Sequence, residues 1–222
     1  ITTGSSTYGS TLAPGTTSFS NAVSGDALGT ATVAVNTAGL TSTSGNLKAG
    51  SHSGIESVSA LSGADAGNYT FAGVTGNYTV NPLALTGATI GTVGTTYATP
   101  AAAGAVSFGN VHGTGPTTDV VTSTASIVNP LLSTSLNLKA GSYDQTATAI
   151  SGTDSGNYSF GGVTTTANYT VGQLALTGAA IAGVGTTYAT PAAAGAVSFG
   201  NVQGTGPTTD VVTSTASIVS PA

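Results

Sequence analysis

Apolar residues along this chain alternate with Thr and Ser and do not recur at helical spacing. The windows 105–108 (AVSF), 120–128 (VVTSTASIV), 136–138 (LNL), 158–160 (YSF) and 169–171 (YTV) all show this alternation. Period-two runs of β-branched and aromatic side chains predict strands with one buried face. Between them stand Gly109-Asn110, 113–116 (GTGP) and 154–157 (DSGN), residue types that close tight turns. No segment places apolar residues at i, i+3, i+4 and i+7 behind a capping residue, and the 33 glycines oppose helix formation. The pattern predicts an all-β protein.

Self-comparison sets the organisation. Residues 83–130 reappear as 174–221 with five differences in 48 positions: Thr89/Ala180, Gly91/Ala182, Thr92/Gly183, His112/Gln203 and Asn129/Ser220. The other half of the unit also recurs, since 47–50 (LKAG) matches 138–141 and 63–71 (GADAGNYTF) matches 152–160 (GTDSGNYSF). Tyr8, Tyr97 and Tyr188 mark the same phase in three copies. A period of about 90 residues exceeds the rung of a solenoid and fits a small domain. Seven or eight short strands in that length predict a two-sheet sandwich, so the expected architecture is a linear array of tandem Ig-like β-sandwich domains. An elongated β-solenoid and a closed barrel are the alternatives. The expected units are 1–81, lacking its first strand, 82–172, complete, and 173–222, the first half of a third. Half a sandwich leaves strand edges uncovered, so completion by flanking repeats or by neighbouring copies through strand addition is expected.

Composition changes the picture by exclusion. Lys48 and Lys139 are the only basic residues against seven acidic ones, which leaves nothing to neutralise phosphates and argues against a nucleic-acid partner. Charged residues make up 4% of the chain, far below the roughly 25% of an ordinary soluble domain. Thr, Ser and Asn must therefore keep its surface in water, a composition suited to a fibre or a layer. With no Cys and no Met, disulfides, thiolate metal sites and thiol nucleophiles are excluded together. No run of about 18 apolar residues predicts a membrane helix, and no signal-peptide pattern opens the segment. Aromatic residues do not form the paired girdles of a transmembrane barrel. No membrane insertion is expected.

Several strings resemble a known family. Thr7-Tyr8-Gly9, Ser24-Gly25-Asp26, 61–71 (LSGADAGNYTF) and 77–82 (NYTVNP), followed by 83–86 (LALT), look like the tandem MBG/YDG-type repeats. These occur in large secreted bacterial exoproteins of the filamentous-haemagglutinin-like adhesin group. Tyr97 and Tyr188 are followed by Ala where the pattern has Gly, and Ser24-Gly25-Asp26 has no match at 113–115. The resemblance implies an extracellular, cell-surface location and a stalk or spacer role.

Candidate chemistry is sparse. His52 and His112 lie at non-equivalent points of the repeat, and Gln203 replaces His112 in the next copy, so they form no constellation and read as surface residues. Asp65 and Asp154 sit in Asp-x-Gly-Asn turns too poor in carboxylates for calcium, and read as turns whose side chains bond nearby amides. Lys48 and Lys139 read as solvated turn residues and not as partners in a Lys–Asn crosslink. Asn68, Asn77, Asn157 and Asn168 each open an Asn-Tyr-Thr or Asn-Tyr-Ser sequon, making them candidate glycosylation sites. Catalytic, cofactor and metal residues are not identified. The expected function is a non-enzymatic structural stalk or spacer of an adhesin or extracellular fibre. The alternative is a β-sandwich module binding cell-surface carbohydrate or another surface through exposed Tyr residues.

Overall fold

The computed structural model describes residues 1–28 and 32–219; Ser220 and Pro221, at the end of the repeated segment, lie outside the described residues. Along the chain run β1 (Gly4–Thr7), β2 (Ala34–Val35), β3 (Gly50–Val58), β4 (Val74–Asn81), β5 (Leu83–Ala84), β6 (Thr89–Ile90) and β7 (Val93–Thr96). Then follow β8 (Val106–Ser107), β9 (Ser126–Ile127), β10 (Gly141–Ala147), β11 (Tyr158–Ser159), β12 (Val163–Gly172), β13 (Ala180–Ile181) and β14 (Val197–Ser198). The only helical pieces among the described residues are four three-residue 3-10 turns, and the protein is all-β.

Two compact units form. Unit 1 takes Ile1–Thr89, Ala105–Thr124 and Ala147–Val163; unit 2 takes Ile90–Gly104, Ala125–Thr146 and Thr164–Ala222. Each unit therefore draws on more than one repeat of the sequence.

The main sheet of unit 1 has the order β1-β4-β3-β2. β1 runs parallel to β4, with Gly4 opposite Tyr78 and Thr7 opposite Asn81, while β3 runs antiparallel to β4 with a register shift between His52 and Glu56. Alternation on β4 turns Tyr78 and Val80 into the core. They cluster with Tyr8, Leu47, Leu85 and Tyr158, and Phe108, Val111, Val121, Ile150 and Phe160 pack around them. Tyr158 reaches this core on β11, which lies parallel to β5 with Tyr158 opposite Leu83.

Unit 2 repeats the plan. Its main sheet has the order β7-β12-β10-β9, and β7 runs parallel to β12 with Val93 opposite Tyr169 and Thr96 opposite Gly172. Tyr143, Tyr169 and Val171 form its buried cluster, flanked by Val93, Tyr97, Ile127 and Leu138. β13 and β14 make a separate antiparallel pair.

One backbone crossing recurs in all three copies and dictates glycine. A Cβ on Gly15 would stand 1.6 Å from the Thr2 carbonyl oxygen, and one on Gly104 would stand 1.8 Å from that of Gly91. Gly195 meets Ala182 at 1.8 Å in the same way. A buried side chain secures the crossing in each unit: the Gly15 amide donates to Glu56 Oε1 at 2.7 Å, and the Gly104 amide to Gln145 Oε1 at 2.6 Å. Glu56 and Gln145 are fully buried, and buried polar groups persist when so bonded.

Candidate functional site

The densest polar cluster of unit 1 centres on Asp119. The loop before it tightens at Gly113, φ +98°, where a Cβ would stand 2.0 Å from the Thr117 carbonyl oxygen. The loop closes with the Asp119 amide donating to the His112 carbonyl at 2.9 Å. This turns the carboxylate inward until Asp119 is 4% exposed. Tyr8 arrives from the end of β1, its amide donating to the Asn81 carbonyl at 2.8 Å and extending the parallel ladder.

Two phenols share one carboxylate oxygen. Tyr8 donates to Asp119 Oδ2 at 2.5 Å and Tyr158 at 2.6 Å, while the Ser44 amide donates to Oδ1 at 2.8 Å. Each phenol has one hydrogen and spends it on Asp119, so its oxygen is left as an acceptor. For Tyr8 the neighbours are Ser42 Oγ at 2.5 Å and Ser44 Oγ at 3.1 Å; for Tyr158 the donor is the His112 amide at 2.9 Å. The Tyr8 ring stands edge-on to Tyr158, centroids 5.2 Å apart, and to His112 at 5.6 Å. A Cβ at Gly9 would overlap the His112 ring, so any side chain there would have to displace that ring.

Ionisation follows from these contacts. Burial pushes the Asp119 carboxyl up, but the hydrogen bonds from Tyr158, Tyr8 and Ser44 outweigh it and hold the group below its ordinary value. Burial, and next the bond to Asp119, pushes the Tyr8 and Tyr158 phenols up. At neutral pH the cluster is a carboxylate satisfied by neutral donors. It fastens segments far apart in sequence and presents neither a free base nor an activated nucleophile.

Unit 2 carries the counterpart. Tyr97 donates to Asp210 Oδ2, with Ser133 Oγ 2.6 Å and Ser135 Oγ 3.0 Å from its oxygen. The Ser135 amide donates to Asp210 Oδ1 at 2.9 Å. The bond from Tyr97 leads in lowering the Asp210 carboxyl. Among the described residues no second phenol joins Asp210 as Tyr158 joins Asp119. A third pairing lies in the first repeat, where Tyr69 donates to Asp26 Oδ2 at 2.6 Å and accepts from the Val23 amide at 2.9 Å. Phe19 crosses Phe71 edge-on there at 5.6 Å, as Phe108 crosses Phe160 at 5.2 Å.

The Asp-x-Gly-Asn turns form 3-10 turns at Ala66–Asn68 and Ser155–Asn157, but their carboxylates do not bond within the turn as expected. Asp154 accepts from the Thr43 amide at 3.2 Å, Thr43 Oγ1 at 2.7 Å and the Val120 amide at 2.9 Å, and Asp65 accepts from the Ala27 amide at 2.6 Å. Long-range amides take their place because the loops that carry Ala27, Thr43 and Val120 lie within hydrogen-bond reach of the two carboxylates. Among the described residues no group of three or more His, Cys, Asp or Glu is placed to hold a metal ion, and no helix is long and apolar enough to cross a membrane.

The sequons divide. Asn157 and Asn168 are buried; Asn157 Oδ1 accepts from the Ala49 amide at 2.8 Å, and Asn168 Nδ2 donates to the Ile90 carbonyl at 3.2 Å. A sugar on either would displace packed structure. Asn68 and Asn77 are exposed, although Asn77 Oδ1 accepts from the Gly54 amide at 3.0 Å. Lys48 and Lys139 are exposed. His52 is half-buried, with Nε2 2.8 Å from the Lys48 carbonyl oxygen; His112 is half-buried against Tyr8 and is no free surface residue.

Sequence reasoning used Tyr8 and Tyr97 only as phase markers and did not single out Asp119 or Asp210. The available signal was that 113–120 and 204–211 are identical, Asp included, in a chain with seven acidic residues. No family model matches the chain, and no curated protein or solved structure matches it.

Proposed function

We propose that the chain is a non-enzymatic, load-bearing spacer: MBG/YDG-type repeats from a secreted bacterial surface protein of the adhesin type, acting outside the cell as Ig-like β-sandwich units in series. The observation that carries this reading is the parallel pairing of early and late strands in each main sheet, β1 with β4 and β7 with β12. Tension applied to the start of one strand and the end of its parallel partner slides them past each other along their axes. The ladder bonds are then loaded together and not unzipped one at a time, which raises the barrier that governs forced unfolding.

Other features support the same reading. The clasps join residues 111 and 113 positions apart, Tyr8 to Asp119 and Tyr97 to Asp210, so each repeat is fastened by the next. A carbohydrate-binding module needs a face of exposed aromatic rings. Tyr8, Tyr78, Tyr143, Tyr158 and Tyr169 are buried, and among the tyrosines Tyr188 alone is fully exposed. The partners on this reading are flanking repeats or neighbouring copies. Single-molecule extension tests it: discrete ruptures are expected, and deletion of residues 1–7, which removes β1, abolishes one of them. Featureless low-force extension of the intact chain would overturn the reading.

A further inference from the structure

The two units carry equivalent residues around the clasp, but among the described residues only those of unit 1 are covered. There the segment 150–160 fills the space: Tyr158 pairs with Leu83, the Leu85 amide donates to the Ser159 carbonyl at 2.8 Å, and Asn157 Oδ1 takes the Ala49 amide. The Tyr158 ring lies against Tyr8, and its hydroxyl is bonded to Asp119. In unit 2 the corresponding positions, shifted by 89 to 91 residues, are Leu174, Leu176, Ala140, Tyr97 and Asp210. They line an open groove of about 490 Å³. Exposure reports the same difference: Leu85 is 9% exposed and Leu176 41%, and fully buried Tyr8 corresponds to half-buried Tyr97.

We propose that this groove is a strand-acceptor site, and that its ligand is an extended segment with the repeat's own Asp-x-Gly-Asn-Tyr-x-Phe pattern, supplied by another copy of the repeat. The proposal rests on the structural-repeat reading and adds the site and the chemistry of its occupant. The ligand strand adds in parallel to 174–175, as β11 adds to β5 in unit 1. Its Tyr donates to Asp210 beside Tyr97, and its Asn accepts from the Ala140 amide. Its Asp accepts from the Val211 amide and from Thr134, the counterparts of Val120 and Thr43, which hold Asp154 in unit 1. Its aromatic ring covers Leu174, Leu176 and Val212. An arbitrary apolar peptide satisfies none of these polar positions.

The test is titration of the intact chain with a synthetic peptide of residues 147–163, followed by calorimetry and amide chemical shifts. The expected result is one-to-one binding that shifts Ala140, Leu176 and Asp210. Peptides carrying Tyr158→Phe or Asn157→Ala should bind about tenfold or more weakly, the loss of one well-made bond. Leu176→Glu in the chain should abolish binding; because Leu176 is exposed, the variant should retain the wild-type unfolding transition. No binding at millimolar peptide, or equal binding by a scrambled peptide, overturns the acceptor site. The extension experiment decides the spacer reading separately, so the two failures are distinguishable.

Discussion

Replacing Asp119 by Ala removes the acceptor on which three donors converge. The bonds lost are those from Tyr8 at 2.5 Å, Tyr158 at 2.6 Å and the Ser44 amide at 2.8 Å. Hydrogen bonds to a charged group contribute about 1.5–3 kcal/mol each, and the losses are not additive. Tyr8 keeps Ser42 and Ser44 as neighbours, whereas the buried Tyr158 hydroxyl and the half-buried Ser44 amide lose their carboxylate partner. The destabilisation of unit 1 should therefore be about 2–5 kcal/mol, from two neutral donors left without an acceptor at about 1–3 kcal/mol each. Urea unfolding followed by far-ultraviolet circular dichroism reads this as a lower midpoint at unchanged slope. Asp210→Ala, in the more open clasp, should cost less. The effect also has a pH signature. The folded carboxyl lies below its unfolded value, so its stabilisation is complete above about pH 4 and is lost as pH falls through the folded value. The wild-type advantage over Asp119→Asn should shrink in that acid window. A loss below about 1 kcal/mol for Asp119→Ala, or an advantage independent of pH, would show that the carboxylate does not hold the clasp.

Three further outcomes follow from the same structure. Gly104→Ala drives a Cβ to within 1.8 Å of the Gly91 carbonyl oxygen and should cost roughly 3 kcal/mol or more, measured by urea midpoint; wild-type stability would show that the crossing can open. Leu136 holds φ +63° where the first repeat has Gly45 at +81°, and it is 71% exposed, so Leu136→Gly should raise stability by about 0.5–1 kcal/mol; a loss would mean its side chain packs usefully. Tyr8 and Tyr158 have folded values above the unfolded one, so their stabilisation is complete below about pH 10 and is lost as pH rises further. Ultraviolet titration should show both ionising above the ordinary phenol value; ionisation of both at or below it would contradict the clasp.

The strand phase was legible because alternation is a local signal. Tyr158 is buried, outward Ser159 is exposed, and Phe160 packs back against the core. Tyr69, in the equivalent string, is only half-buried, since its surroundings in the first repeat offer Asp26 and Phe71–Phe19 packing but no counterpart of Tyr8. The repeat was legible by identity at a fixed offset. What self-comparison does not reveal is which copy's Asp meets which copy's Tyr, because a separation of 111 residues leaves no periodic trace. Glu56 shows the same limit: in sequence it is one charge in a polar strand, while in the fold it receives the Gly15 amide across a crossing that only glycine permits.

Successive repeats interlock through the clasp, and a double-mutant cycle between Tyr8→Phe and Asp119→Ala measures that coupling. The first change removes one hydroxyl and keeps the ring; the second removes its acceptor. Residues so distant in sequence should couple only if the clasp exists. The double variant should be more stable than the sum of the two single losses implies, by about 1–2 kcal/mol from urea unfolding. Strict additivity, with coupling below about 0.3 kcal/mol, would mean that Tyr8 and Asp119 do not interact in the folded protein.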